Sequence, residues 1–114
     1  LDPMCKLFGK RLFPRVQFHT DDAYEFFMSR RNDFNWIVNT SCEHMELEDV
    51  QAMVKYKKDG AKICFQSNNM FHEDSHINCY ETLDEFVSDL NLNKVIFSGS
   101  LTIGDYKRWM VIGE

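Results

Sequence analysis

The fold is decided by residues 34–66, which read FNWIVNTSCEHMELEDVQAMVKYKKDGAKICFQ. The two ends of this segment, residues 34–39 and 61–66, are short runs rich in branched and aromatic side chains, and such runs are typical of strands. Residues 46–57 between them have helical spacing. The apolar face of this helix consists of Leu47, Val50, Met53 and Val54. A strand, a helix and a second strand in this order predict two parallel strands joined by a crossover helix.

The residues before this segment predict one more strand and one more helix. Residues 15–20, Arg-Val-Gln-Phe-His-Thr, have the composition and alternation of a strand. Asp21 or Asp22 can then cap a helix that ends near Arg30, because acceptor side chains favour the start of a helix and cations favour its end. The order of strand and helix is therefore repeated.

The residues after this segment continue the alternation. Thr82, with Glu85 three residues later, forms a capping-box pattern that predicts a helix. Residues 95–97, Val-Ile-Phe, predict a strand, and residues 102–110 predict a last helix that Gly104 weakens. The inward side of that helix would hold Ile103, Tyr106, Trp109 and Met110.

Together these elements predict an α/β protein with a mainly parallel sheet of four to five strands. The helices can cover the sheet on one side, as in a solenoid, or on both sides, as in a small two-sided layer. A chain of 114 residues supports one core, so residues 1–114 are expected to form a single domain. Within it, residues 1–14 are a basic aromatic lead-in and residues 67–80 are a long loop.

Composition and charge exclude several classes of function. A chain that is 44% hydrophobic and 27% charged is globular rather than disordered. Its net charge is −5, and residues 32–90 carry four Lys or Arg against twelve Asp or Glu. Because such an acidic segment repels phosphate, binding of nucleic acid along the whole chain is disfavoured. No apolar run approaches the roughly 20 residues that span a bilayer, so no membrane partner is predicted.

The lead-in is the one place where basic and aromatic residues alternate. Lys10 and Arg11 lie between Phe8 and Phe13. This combination can bind nucleic acid or a nucleotide cap. It can equally contact another protein, since interfaces favour aromatic residues and arginine. We prefer the protein contact and keep the nucleic-acid or cap-binding domain as an alternative.

Residues 72–76, His-Glu-Asp-Ser-His, match a zinc-hydrolase motif. On a helix, His72 and His76 would share one face and hold zinc, while Glu73 would polarise a water molecule. The polar neighbours of this stretch favour an exposed loop instead. We therefore predict no catalytic residue, no metal and no cofactor, with a zinc-dependent hydrolase as an alternative. A composite zinc site is a further alternative, and its ligands would be Cys42, His44, His72 and His76.

Cysteine usage leaves the redox setting open. In a secreted chain, four cysteines would allow three disulfide pairings. Cys64, however, lies between Ile63 and Phe65, where it resembles a small buried hydrophobic residue. We favour thiols and an intracellular location, either cytoplasmic or nuclear. The sequon Asn39-Thr40-Ser41 lies at the end of a predicted strand and is interpreted as a chance match.

Three stretches share the pattern apolar-x-apolar-x-x-polar, in which x is any residue. They are Val16-x-Phe18-x-x-Asp21, Ile63-x-Phe65-x-x-Asn68 and Val95-x-Phe97-x-x-Ser100. With the turns in residues 42–49 and 97–105, this pattern resembles the cysteine-containing leucine-rich repeats of F-box proteins, and it is similar to the F-box-associated regions of nematodes. The resemblance implies a one-sided, leucine-rich-repeat-like sheet and a protein-binding surface in an adaptor.

The predicted function is a non-enzymatic protein-interaction module, serving as a recognition or assembly part of a larger adaptor protein. The predicted partner is another protein, and self-association stays open. The predicted contact residues are Phe8, Lys10, Arg11, Phe13, Phe71, His72 and His76.

Overall fold

The computed structural model describes residues 3–114, which form four α-helices and four strands. In chain order these are α1 (Pro3–Leu12), α2 (Ala23–Arg30), β1 (Trp36–Asn39), α3 (Leu47–Tyr56), β2 (Lys62–Asn68), α4 (Leu83–Leu90), β3 (Val95–Ile103) and β4 (Tyr106–Gly113). Short 3-10 turns occupy Arg31–Asp33 and Cys42–His44. The predicted α/β class is confirmed. None of the described helices has the length and apolar character required to cross a bilayer.

The strands form one mixed sheet in the order β1-β2-β4-β3. β1 and β2 are parallel, with Ile37 opposite Ile63, which confirms the strand–helix–strand unit predicted over residues 34–66. β4 pairs antiparallel with both β2 and β3. The prediction of a mainly parallel sheet is therefore wrong, although four strands fall within the predicted number.

The largest difference from the sequence-based expectation is a hairpin in place of the helix predicted over residues 102–110. β3 and β4 are joined by Gly104 and Asp105 alone, and Gly104 has a φ of 61°. Glycine with positive φ at the first position of a two-residue loop is the type II′ pattern, which matches the twist of the strands on either side. In β4, Trp109 and Val111 are buried and alternate with more exposed residues. Buried and exposed side chains therefore repeat every two residues in this segment, as in a strand covered on one face.

At the N-terminus, the lead-in forms a helix and the strand predicted over residues 15–20 is absent. No residue of α1 is buried. A Cβ placed on Gly9 would lie only 2.6 Å from the ring of Phe18, so this ring packs closely against the helix. Residues 15–20 thus contact α1 and do not add a fifth strand to the described sheet.

The helix starts predicted from capping residues are confirmed. The Asp22 carboxylate accepts a hydrogen bond from the backbone N–H of Glu25 at 2.9 Å, at the start of α2. At the start of α4, Thr82 Oγ1 accepts from the Glu85 N–H at 3.2 Å, and Glu85 Oε2 accepts from the Thr82 N–H at 3.2 Å. These reciprocal bonds form the expected capping box. α4 ends at Leu90, and the next residue, Asn91, has a left-handed φ of 57° that terminates the helix.

The hydrophobic core lies between the helices and one face of the sheet, here called the inner face. The strands contribute Ile63, Phe65, Trp109 and Val111, and the helices contribute Phe27, Val50, Met53, Val54, Phe86 and Leu90. In β2 and β4 the buried residues alternate with less buried ones, as expected for a sheet covered on one side. The one-sided alternative therefore describes this sheet, but the described elements form a single sheet and no stack of repeats.

Cys42 and Cys64 lie in contrasting environments. Burial raises the pKa of the Cys42 thiol to about 12, whereas Cys64 is half-buried on the opposite face of the sheet and not fully buried as its neighbours suggested. Because the thiolate is the reactive species, we expect Cys42 to resist maleimide in the folded protein and to react after unfolding. Mass spectrometry of labelled peptides tests this expectation, with Cys64 as the internal control. Equal labelling rates at the two thiols in the folded protein would contradict it.

Candidate functional site

The face of the sheet opposite helices α2, α3 and α4, here called the outer face, is open and carries an apolar row among polar side chains. The strand register aligns Val38, Cys64, Ile112 and Phe97 in one row across all four strands. At the two ends of this row, Val38 is 64% exposed and Phe97 is 49% exposed. An exposed apolar surface that extends across a whole sheet is typical of an interaction site.

β3 is an edge strand without charged residues. Its sequence is VIFSGSLTI, and all its residues except Gly99 are exposed. Soluble proteins protect such edges with charges, proline or bulges, because unpaired backbone groups pair readily with another chain. β3 has one register irregularity, between Val95 and Phe97, and neither charge nor proline. Within residues 3–114, no strand pairs with its outward side.

A shallow groove of about 190 Å³ lies on the outer face beside this edge. Phe97, Leu101, Arg108 and Met110 contribute to its lining. A Cβ placed on Gly99 would lie 2.8 Å from the Phe97 ring, so this ring lies over the bare backbone of Gly99. An apolar groove beside an open edge suits an extended chain whose alternate side chains point into the groove.

Most of the contact residues predicted from sequence are exposed. Phe8 is 54% exposed, Phe13 is 58% exposed and Phe71 is 52% exposed. Lys10 and Arg11 occupy the last turn of α1, where cations interact favourably with the helix dipole. Their exposure permits a contact with a partner, and their part in binding stays a prediction.

The structure separates the two histidines of the His-Glu-x-x-His motif. Residues 69–81 contain no helix, so the shared helical face that a zinc hydrolase uses is absent here. His72 Nε2 lies 3.4 Å from Glu73 Oε1, and 72% of the His72 side chain is exposed. The His76 ring instead contacts the His44 ring edge-on, with centroids 4.6 Å apart.

One group of three side chains within residues 3–114 has the composition of a metal site, and it consists of Glu43, His44 and His76. One possible ligand atom from each side chain lies within 4.8 Å of the other two. Glu43 and His44 belong to the 3-10 turn after β1, and His76 belongs to the loop after β2. The backbone N–H of Ile77 donates to the Glu43 carbonyl at 2.8 Å and attaches this loop to the turn. The group therefore lies at the carboxyl ends of the two parallel strands, where α/β proteins commonly bind ligands.

Only part of the composite zinc site considered from sequence is brought together. His44 and His76 meet, but the Cys42 thiol is buried and donates to the Asn39 carbonyl at 3.9 Å. His72 lies beside Glu73. Glu43 therefore joins the two histidines in place of Cys42 and His72.

Arg108 links the 3-10 turn to the sheet. Its guanidinium donates to Gln66 Oε1 at 2.9 Å, to Glu43 Oε1 at 3.4 Å and to the Thr40 carbonyl. Glu43 is only 4% exposed, and its other carboxylate oxygen, Oε2, is buried without a hydrogen-bond partner. This oxygen can therefore accept a hydrogen bond or bind a cation.

Sequence reasoning missed both the β3 edge and Glu43. The alternation of Phe97, Leu101 and Ile103 with small polar residues over residues 97–103 was a usable signal for an exposed strand. No local signal identifies Glu43.

Neither a protein-family model nor a curated protein matches this chain. Its function is therefore inferred from its own geometry.

Proposed function

We propose that this chain is a non-enzymatic protein-interaction module that binds an extended segment of a partner protein along β3. The observation that carries the proposal is the uncharged, unpaired edge beside the open apolar outer face. A segment added to such an edge gains affinity from backbone hydrogen bonds and specificity from its alternate side chains. A recognition or assembly part of a larger adaptor protein would use a surface of this kind.

The chemistry of the surface defines the partner segment. Alternate residues should be apolar, because Phe97 and Leu101 on the outer side of β3 line an apolar groove. The remaining residues should be polar, because they would lie on the side of β3 where Ser98, Ser100 and Thr102 are exposed. The chain has a net charge of −5, which repels a second copy of the chain. Binding of another protein is therefore favoured over self-association.

Selection from a displayed library of short random peptides tests this proposal even though the natural partner is unidentified. We expect the selected peptides to alternate apolar with polar residues. The double variant Phe97→Lys and Leu101→Lys places two cations on the edge, and we expect it to weaken binding of these peptides about 100-fold, as for the loss of two central interface contacts. Titration calorimetry measures the affinities.

The matched control, here called the α1 variant, places the same charges on α1 and directly after it, as Phe8→Lys with Phe13→Lys. Both phenylalanines are about as exposed as Phe97, so both double variants should unfold near the temperature of the unmodified protein. The α1 variant should bind the selected peptides normally. Loss of binding in the α1 variant but not in the β3 variant would transfer the contact to the lead-in and refute binding along β3, as would a failure to select any peptide.

A further inference from the structure

We propose that Glu43, His44 and His76 form a binding site for a divalent transition metal of the zinc class. This inference does not depend on binding along β3, although Arg108 both lines the groove beside that strand and holds Glu43. The three side chains come from the turn after β1 and the loop after β2, and their ligand atoms already lie within 4.8 Å of one another. Two imidazoles and one carboxylate are a common set of zinc ligands.

The hydrogen bonds of the two histidines leave one nitrogen of each ring ready to bind a metal. His44 Nδ1 lies 3.0 Å from the Ser75 carbonyl, and His76 Nδ1 lies 3.1 Å from the Met70 carbonyl. A carbonyl oxygen only accepts, so each Nδ1 carries the proton in the neutral ring and each Nε2 keeps its lone pair. Metal-binding histidines usually have this arrangement, in which a backbone carbonyl fixes the ring through the other nitrogen.

Glu43 provides the second, independent observation. Its side chain is almost fully buried, and Oε2 has no partner, although Oε1 receives a hydrogen bond from Arg108. A buried polar atom without a partner is costly, and a bound cation would satisfy it. Arg108 would then hold the carboxylate in place through the other oxygen, as partners behind a metal ligand commonly do.

The site requires only a small closure and has an entry path. Ligand atoms around a tetrahedral zinc ion lie about 3.3 Å apart, and the atoms here lie within 4.8 Å of one another, so no pair has to approach by more than about 1.5 Å. His44 is exposed, so its ring has room to rotate, and a metal ion can reach the site from solvent. Three protein ligands leave a further coordination position for water or for a side chain of a partner.

Zinc binding by the whole chain, prepared without a histidine tag, tests this inference. We expect calorimetry with ZnCl₂ to show one zinc ion per chain with a Kd of about 10 μM or tighter. We expect His44→Gln and His76→Gln each to weaken binding by about 10-fold or more. Saturating zinc should raise the unfolding temperature of the unmodified protein by about 5–10 °C.

His72→Gln is the matched control, because His72 lies in the same loop and in the sequence motif but outside the cluster. It should leave the zinc affinity unchanged. An equal loss in His72→Gln and His76→Gln would instead support the His-Glu-x-x-His arrangement and overturn the proposed ligand set. Absence of saturable binding up to about 1 mM zinc would overturn the site itself. Thermal unfolding without zinc checks that each variant is folded.

Discussion

Replacing Phe65 by alanine is expected to lower the free energy of unfolding by about 3–5 kcal/mol. Phe65 is completely buried in the middle of β2, on the inner face. Its loss removes a large apolar contact area and leaves a cavity between the sheet and the helices, which cannot collapse without moving several elements. Urea denaturation followed by circular dichroism measures the change.

The matched control is Phe97→Ala, because Phe97 belongs to the same sheet but is 49% exposed on the outer face. This substitution is expected to cost less than about 1 kcal/mol. The pair of variants thus compares the same residue type on the two faces. Equal losses at Phe65 and Phe97 would show that both faces are covered in solution, in conflict with the open outer face.

The second large effect is expected at Arg108. Arg108→Leu should lower the free energy of unfolding by about 3 kcal/mol, because it leaves the buried carboxylate of Glu43 without its cation. The guanidinium's bonds to Gln66 and to the Thr40 carbonyl are also lost, which weakens the attachment of the segment after β1 to β4. Urea denaturation in the absence of zinc measures this loss.

A double-variant cycle separates the charge effect from the packing effect. Glu43→Gln combined with Arg108→Leu removes both charges, and the double variant should be more stable than Arg108→Leu alone. If the double variant were as unstable as the single one, the lost stability would come from packing of the arginine stem. In that case the buried carboxylate would not be the cause of the instability.

The central part of the fold could be predicted because its signals are local. Residues 34–66 contain two strand-like runs around an amphipathic helix, and each feature depends only on nearby residues. The caps at Asp22 and Thr82 are likewise local hydrogen bonds between a side chain and the backbone three residues later. Such features form in the same way whatever the rest of the chain does.

The hairpin of β3 and β4 could not be predicted from local signals of this kind. Ile103, Tyr106, Trp109 and Met110 fit a helical period, and Gly104 weakens that helix without identifying a turn. The choice between helix and hairpin is decided by β2, because β4 pairs with this strand and buries Trp109 and Val111 on the inner face. This pairing joins residues that are 40 to 50 positions apart, so tertiary contacts override the local preference.

The candidate sites could be predicted only in part for the same reason. The His-Glu-x-x-His motif identifies His76 but pairs it with His72, four residues away. The structure pairs it with His44 and Glu43, which are more than thirty residues away, because the loop after β2 folds back onto the turn after β1. The exposed and basic character of the lead-in follows from its composition, whereas its helical form does not.

The most direct test of the proposed function is an NMR titration of the isotope-labelled chain with a selected peptide. Binding along β3 predicts intermolecular backbone contacts with Val95–Ile103, slower amide exchange on the outward side of that strand, and shifts of the residues that line the groove beside it. Shifts confined to α1 or to residues 69–79, with β3 unchanged, would contradict the proposal.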